Sequence, residues 1–452
     1  MTAVSPAPIS DDAVKDRVEA PLVLDTAPPR TLDFRALFAL WANLGVSLIG
    51  FTSAATVLGA PGAELGFTAA MTAIVVGTAI GTAMLGVAAM IGARSGAPAM
   101  ALLRGLFGTR LSYVPTVLNI LQCIGWGVYE LTVIAWGAQT VAGTEGWRWL
   151  FVVLAGVLTT VLTIWPLGAI AVLRTYVAIA VGVAMVYFTV QLVRQGFPDP
   201  GAGHWGGFLT ATDYVIAVSI SFVPLAADYT RHAKSSGSAF WGTFSGYTVA
   251  QVWCYALGLV ALLQSGGDPT QVFSSFTGVA AGWFFLLVLV LRETDQSFAN
   301  VYSTAMSIHN LLPRVDRRVL TGGIGVLVTG LALWIQEFTA GYYAFLGLIG
   351  SVFVPLFAVL AVDYFFGAGR RGWNLEQDAP SRWLMLLPWA LGFAAYQFLA
   401  PTAVGAWWTE RWTGLQEAVG FTPQPWTSAS LFSFLVAALA TGATAALSRK
   451  GD

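Results

Sequence analysis

The chain has 452 residues, of which 56% are hydrophobic and only 10% carry a charge, with a formal net charge of −1. A mean hydropathy of +0.71 excludes a soluble globular protein of this size; the net charge says nothing about partners, and nothing in the sequence resembles a basic nucleic-acid face. What remains is a polytopic membrane protein, built from apolar runs of the roughly 20 residues that a bilayer crossing needs.

The first thirty residues are polar and carry Pro6, Pro8, Pro21, Pro28 and Pro29. They lack the apolar core of a signal peptide and read as a disordered cytoplasmic tail over 1–35. Twelve apolar spans follow, at about 36–59, 66–91, 112–142, 147–166, 172–195, 209–229, 239–264, 278–311, 319–336, 339–366, 383–400 and 428–447. The first ten, 36–366, form one unit. Residues 367–447 add two accessory helices and an outer loop with Trp407, Trp408, Trp412 and Trp426, and 448–452 is a short cytoplasmic tail. Cytoplasmic loops are enriched in Lys and Arg, and an inside N-terminus puts 18 of the 22 Lys and Arg residues on that side. Arg148, Arg194 and Arg411 fall outside and Arg292 within a span, so both termini are expected in the cytoplasm of a cell that holds the protein in its plasma or inner membrane. Cys123 and Cys254 both fall inside spans, and no disulfide framework follows.

Two spans read as interrupted. Span one carries Asn43-Leu44-Gly45-Val46-Ser47-Leu48-Ile49-Gly50, and span six carries Ser219-Ile220-Ser221-Phe222-Val223-Pro224-Leu225, where proline removes a backbone donor. Such breaks free backbone groups to bind ions and polar substrates near the midplane. They lie five spans apart, as an inverted repeat of five plus five would place them, although Gly and Pro are also simply common in membrane helices. Span eight sets Arg292, Glu293, Thr294, Asp295, Gln296 and Asn300 in an apolar stretch, and span three carries Glu130. Intramembrane charges are costly unless they face a polar cavity or a partner, and they mark transport pathways. Gly77 and Gly81 make a small-xxx-small face suited to helix packing.

Gly92-Ala93-Arg94-Ser95-Gly96-Ala97-Pro98 followed by Leu103-Arg104-Gly105-Leu106-Phe107-Gly108, then Gly125-Trp126, then Ala227-Asp228-Tyr229-Thr230-Arg231, together resemble the nucleobase:cation symporter-1 family, the purine and cytosine permeases. Order and spacing agree over about residues 35–370. The resemblance implies an all-α membrane protein of twelve transmembrane helices: a leucine-transporter-like inverted repeat of five plus five, with helices 1 and 6 broken, and two extra helices. It implies import of a nucleobase or related heterocycle by cation symport with alternating access.

It also implies roles. Trp126 would stack on the substrate ring, a contact of about 1–3 kcal/mol per base; packing or an interfacial position is the alternative for one tryptophan among 18. Glu130 lies one helical turn on, on the same face, where a family member has a glutamine that bonds substrate. A protonated carboxyl offers one donor and one acceptor, which matches the amino and ring-nitrogen edge of cytosine, adenine and aminopyrimidines and suits proton coupling. The alternative is a structural carboxylate paired with Arg292. Thr294, Asp295, Gln296 and Asn300 align with a Ser-Thr-Asn-x-x-x-Asn pattern of the family. Gln296 and Asn300 inherit substrate roles and Thr294 a cation role. Asp295 replaces a neutral hydroxyl, and would bind Na+, carry H+, or pair with Arg292. Gly45 and Ile49 align with span-one positions near substrate, and Ser221 with a span-six serine contact. Ser219 stands where relatives carry a second stacking aromatic, which Phe222 would supply from the next register unless it faces lipid. These departures imply a substrate larger than cytosine or of another shape.

Asp228 beside Arg231 reads as a structural contact at the end of span six. His204, His232 and His309 are scattered, so no metal site is implied beyond one for sodium. The expected partners are a small heterocycle and the lipid bilayer, with the chain a monomer, no nucleic acid, no cofactor, and Na+ or H+ as coupling ion. The phrase Pro224-Leu225-Ala226-Ala227-Asp228-Tyr229-Thr230 resembles the branch that carries hydroxymethylpyrimidine, the runner-up substrate. An amino-acid transporter of the same fold is a further alternative. A membrane enzyme would need a nucleophile with its base, or metal ligands, at a membrane face, and a channel would not need midplane charges at broken helices.

Overall fold

A computed structural model describes residues 28–450 except 61–63, 145, 166–169, 200–203, 312–314, 336–337, 402–404 and 425. The tail expected over 1–35 falls outside the described residues as far as 27. The first apolar span comprises α1 (Phe34–Gly45), α2 (Leu48–Thr52) and α3 (Ala54–Leu58). There follow α4 (Phe67–Ser95), α5 (Ala99–Phe107), α6 (Tyr113–Ala142), α7 (Arg148–Ile164) and α8 (Ile170–Gln195). The next five spans are α9 (Phe208–Ile220) with α10 (Val223–Thr230), α11 (Ser236–Gln264), α13 (Gly282–Leu311), α14 (Arg317–Trp334) and α15 (Phe338–Phe366), with α12 (Val272–Thr277) preceding α13. Last come α16 (Leu386–Leu399), α17 (Ala406–Val419) and α18 (Ala429–Lys450). Seven stretches among the described residues are long and apolar enough to cross a membrane, and the bent pair Phe34–Gly45 with Leu48–Leu58 makes an eighth. The tryptophan-rich stretch expected as an outer loop contains the helix α17, where Trp408 Nε1 donates to Gln397 Oε1 at 3.0 Å.

The two interruptions differ. Span one bends by 56° between α1 and α2, because Val46 and Ser47 adopt extended backbone that cannot continue a helix. Span six stops at Ile220 and resumes at Val223, yet Phe208–Thr230 still runs as one span. Pro224 explains the milder effect: it sits in the first turn of α10, where a missing N–H costs little. Leu225 N turns to the Phe222 carbonyl at 3.0 Å, and the Ser221 carbonyl accepts from Gln122 Nε2 at 2.9 Å.

Packing shows the repeat that the residues do not. α1 lies on α11, the span-one to span-seven contact, and α4 lies on α9 and α10, the span-two to span-six contact. Exchanging the two halves turns the first pair into the second. α6 packs on α13 and α7 on α14, and the same exchange maps each of these pairs onto itself. Short helices occur at matching places, α5 between spans two and three and α12 between spans seven and eight.

Small residues set these contacts. At Gly77 an added Cβ would lie 2.8 Å from the Thr212 carbonyl, and at Gly81 2.7 Å from Ser219 Cβ, so this pair seats α4 on α9. Gly258 of α11 is tighter, its Cβ position only 2.1 Å from the Phe51 carbonyl of α2. Gly258→Ala therefore has to push α11 off the broken span, and is expected to cost about 1–3 kcal/mol through overpacking. A clear fall in the thermal midpoint of the purified protein is the expected result; an unchanged midpoint would refute this contact.

Polar latches join the remaining parts. Buried Asp213 of α9 accepts from Ser428 Oγ at 2.5 Å and Ala429 N at 2.8 Å, capping α18 against the core. Asp363 of α15 receives both terminal nitrogens of Arg382 at 2.8 Å. Asp228 accepts from Ala99 N at 2.9 Å; its described role is to hold the start of α5, in keeping with the structural reading.

Candidate functional site

The span-one bend leaves the last carbonyls of α1 and the first amides of α2 without helical partners, and the charged turn of α13 meets them. Glu293 Oε1 accepts from Ser47 Oγ at 2.5 Å and Oε2 from Leu48 N at 2.9 Å. Arg292 points the opposite way along the break, its guanidinium donating to the carbonyls of Asn43 and Val46. It lies 3.7 Å from Glu293 Oε2, with both side chains almost wholly buried. Gln296, one turn on, donates through Nε2 to the Leu44 carbonyl.

Beside this cluster the two interruptions and α6 enclose a cavity of about 40 Å³, lined by Gly45, Ile49, Trp126, Glu130, Ser221, Phe222, Gln296 and Asn300 among others. A single water needs roughly 10–15 Å³ of such volume, so this one holds only a few. The indole of Trp126 is held edge-on by Phe345, with ring centres 5.1 Å apart, and by Tyr342 at 6.0 Å. Glu130, 5% exposed, accepts from Asn300 Nδ2 through Oε1 at 3.0 Å. Its Oε2 and the Trp126 Nε1 are buried and have no hydrogen-bond partner among the described residues. Buried polar atoms of this kind are rare and costly unless something else satisfies them. Asn300 Nδ2 donates to this carboxyl and, at 3.5 Å, to the Gln296 carbonyl of its own helix, so Asn300 and Glu130 act as a unit toward a ligand.

Several residues expected at the site stand elsewhere. Ser219 is not part of the lining: its Oγ donates to Gln251 Oε1 at 3.0 Å, and Gln251 reaches the cavity in its place. Thr294 and Asp295 are likewise absent from the lining, and Thr294 Oγ1 donates to the Leu291 carbonyl of its own helix at 2.7 Å. The residues of that stretch that bond the span-one break are Arg292, Glu293 and Gln296. Arg292 takes Glu293 and the break carbonyls, while Glu130 takes Asn300. Gly45 lines the cavity, but its closest approach is to α11, 2.8 Å from its Cβ position to Ala250 Cβ. Phe222 faces the cavity rather than lipid, packing on Tyr247 at 5.2 Å and Trp41 at 6.1 Å.

Sequence reasoning passed over Gln122, Tyr247 and Gln251, which also line the cavity. Gln122 was within reach, since it precedes Trp126 by the same four residues that separate Trp126 from Glu130. A larger recess of about 640 Å³ lies between α6, α14 and α15; the described residues of its lining include no charged one, and it ends at exposed Leu121 and Trp334.

Comparison with known proteins agrees with this architecture. The inward-facing structure of Mhp1 matches with a TM-score of 0.75 at 17% identity, covering 96% of this chain and 95% of that one. The purine-cytosine permease of Saccharomyces cerevisiae is 22% identical over 313 residues, 61% of this chain and 58% of that protein. The hydantoin permease of Microbacterium maritypicum is 25% identical over 301 residues, 59% of this chain and 60% of that protein. The chain thus aligns with about three fifths of the length of these two relatives. Residues 26–377 match the family of permeases for cytosine/purines, uracil, thiamine and allantoin. With most of its length inside that match, a leucine-transporter-like helical fold and a buried polar cavity at the bend, the chain belongs to this permease family and is a multi-pass membrane protein.

Proposed function

We propose that the protein imports a nucleobase or related heterocycle by cation symport, with twelve crossings and both termini in the cytoplasm. The observation that carries this reading is the partnerless Glu130 Oε2 beside Trp126 in a cavity at the span-one bend. An indole face offers a flat apolar platform, and the carboxyl with Asn300 offers hydrogen bonds to a ring edge bearing N–H or amino groups. The relatives that carry cytosine, purines and hydantoin support the same class of ligand.

Uptake of labelled cytosine into proteoliposomes, under an imposed Na+ or H+ gradient, tests the proposal. Unlabelled adenine, guanine, uracil, hydantoin and hydroxymethylpyrimidine serve as competitors. Gradient-driven uptake is expected, with the strongest competitor naming the substrate branch; no uptake of any labelled heterocycle would overturn it. Glu130→Gln is expected to fold normally while changing substrate affinity and removing its pH dependence. Uptake identical to the parent at every pH would sink the assignment of Glu130.

A further inference from the structure

Where a membrane helix breaks, the carbonyls at the C-terminal end of its first half form a natural cation site. In this chain that site is made by Asn43, Leu44 and Val46, and side chains of α13 already hold all three carbonyls: Arg292 those of Asn43 and Val46, and Gln296 that of Leu44. Glu293 completes the arrangement by capping the other half, through Ser47 and Leu48, within 3.7 Å of the guanidinium. Arg292 is 3% exposed and in reach of a carboxylate, which is the setting a bound cation would have.

We propose that Arg292 is the resident cation of the span-one break, a covalently tethered charge in the place of an exchangeable metal ion, so that the transport cycle needs no Na+. This rests on reading the chain as a cation-linked heterocycle importer, and it selects between the two coupling ions that reading allows. Arginine suits the post because its charge is permanent and its planar fork spans two carbonyls at once. An exchangeable ion stabilises the state that binds it by mass action, in proportion to its concentration. A tethered charge does not.

The first test is independent of the substrate. The full chain, purified in detergent, is melted in sodium chloride and in choline chloride at equal ionic strength. The parent protein is expected to melt at the same temperature in both across the whole titration, and Arg292→Lys, which keeps a cation at the break, is expected to do the same. Arg292→Ala uncovers the carbonyls and is expected to be stabilised selectively by Na+. In proteoliposomes, labelled cytosine uptake by the parent is expected to be unaffected when choline replaces Na+ on both sides. Uptake by Arg292→Ala is expected to fall at least about tenfold in choline, the effect of stranding a buried charge partner, and to recover in part with Na+.

A melting temperature of the parent that climbs with Na+, or parent uptake that stops in choline, overturns the proposal. So does an Arg292→Ala protein that folds and ignores Na+. A parent that is indifferent to Na+ in the melt but carries no heterocycle leaves Arg292 in its role and removes the substrate reading alone.

Discussion

Glu293→Ala is expected to be the most destabilising single change in the polar core, costing about 3–5 kcal/mol, the usual effect of removing one partner of a buried ion pair. The carboxylate does three things: it accepts from Ser47 Oγ, accepts from Leu48 N, and lies within 3.7 Å of Arg292. Its loss leaves a buried guanidinium without a counter-charge and an amide at the start of α2 without an acceptor. Glu293→Gln keeps an acceptor for Ser47 or Leu48 but not the charge, and is expected to fall between the two. Replacing Arg292 and Glu293 together by leucine removes the stranded charge, yet leaves the carbonyls of Asn43 and Val46 bare, so only part of the loss returns. Thermal melts of the four proteins in one detergent test the series. Equal melting of Glu293→Ala and the parent would mean that the bend does not depend on this pair.

The second large effect is expected on substrate. Trp126→Ala removes the only indole among the described residues of the cavity lining, and base stacking on an aromatic side chain amounts to about 1–3 kcal/mol. At about 1.4 kcal/mol per factor of ten, apparent affinity in the competition assay should weaken by about fivefold at least and by no more than about 150-fold. Trp126→Phe, which keeps a π face, should recover most of it. The Phe control separates stacking from packing, because Trp126 also fills space against Phe345 and Tyr342. If the Ala and Phe variants lose affinity equally, or neither loses any, stacking is not what Trp126 contributes.

Much of this was legible in the residues. A run of apolar side chains bounded by charged or glycine-rich turns has one physical meaning in a membrane, and helices occur along all the stretches so marked. The bend of span one was legible too, since Gly45, Ser47 and Gly50 disfavour a continuous helix. Facing was harder. Successive residues on a helix point about 100° apart, so Arg292, Glu293, Thr294 and Asp295 sweep nearly a full turn, and only the packing of α13 on the break says which of them meets it. The resemblance chose Thr294 and Asp295; the fold turns Arg292 and Glu293 inward. Span six shows the opposite limit. Proline at its centre reads as a break, but the helix has already stopped at Ile220, so Pro224 opens a new first turn instead of cutting an old one. Gln251 and Tyr247 were hidden for a third reason: span seven carries no charge or break to draw attention, and its polar face gains meaning only where α11 crosses α1.

The size of the cavity bears on every affinity measured for this protein. At about 40 Å³ it is far below the roughly 300–1,000 Å³ of a typical small-molecule pocket, so the conformation described here cannot be the one that first admits a ring. An observed dissociation constant is then the intrinsic one divided by the fraction of molecules that stand open, and a protein open one tenth of the time binds about tenfold more weakly than its contacts would allow. Part of the affinity for every heterocycle, though none of the selectivity among them, is therefore set by an equilibrium of the empty protein. A substitution outside the lining that favoured the open form would tighten binding of every substrate alike, without adding a contact to any of them.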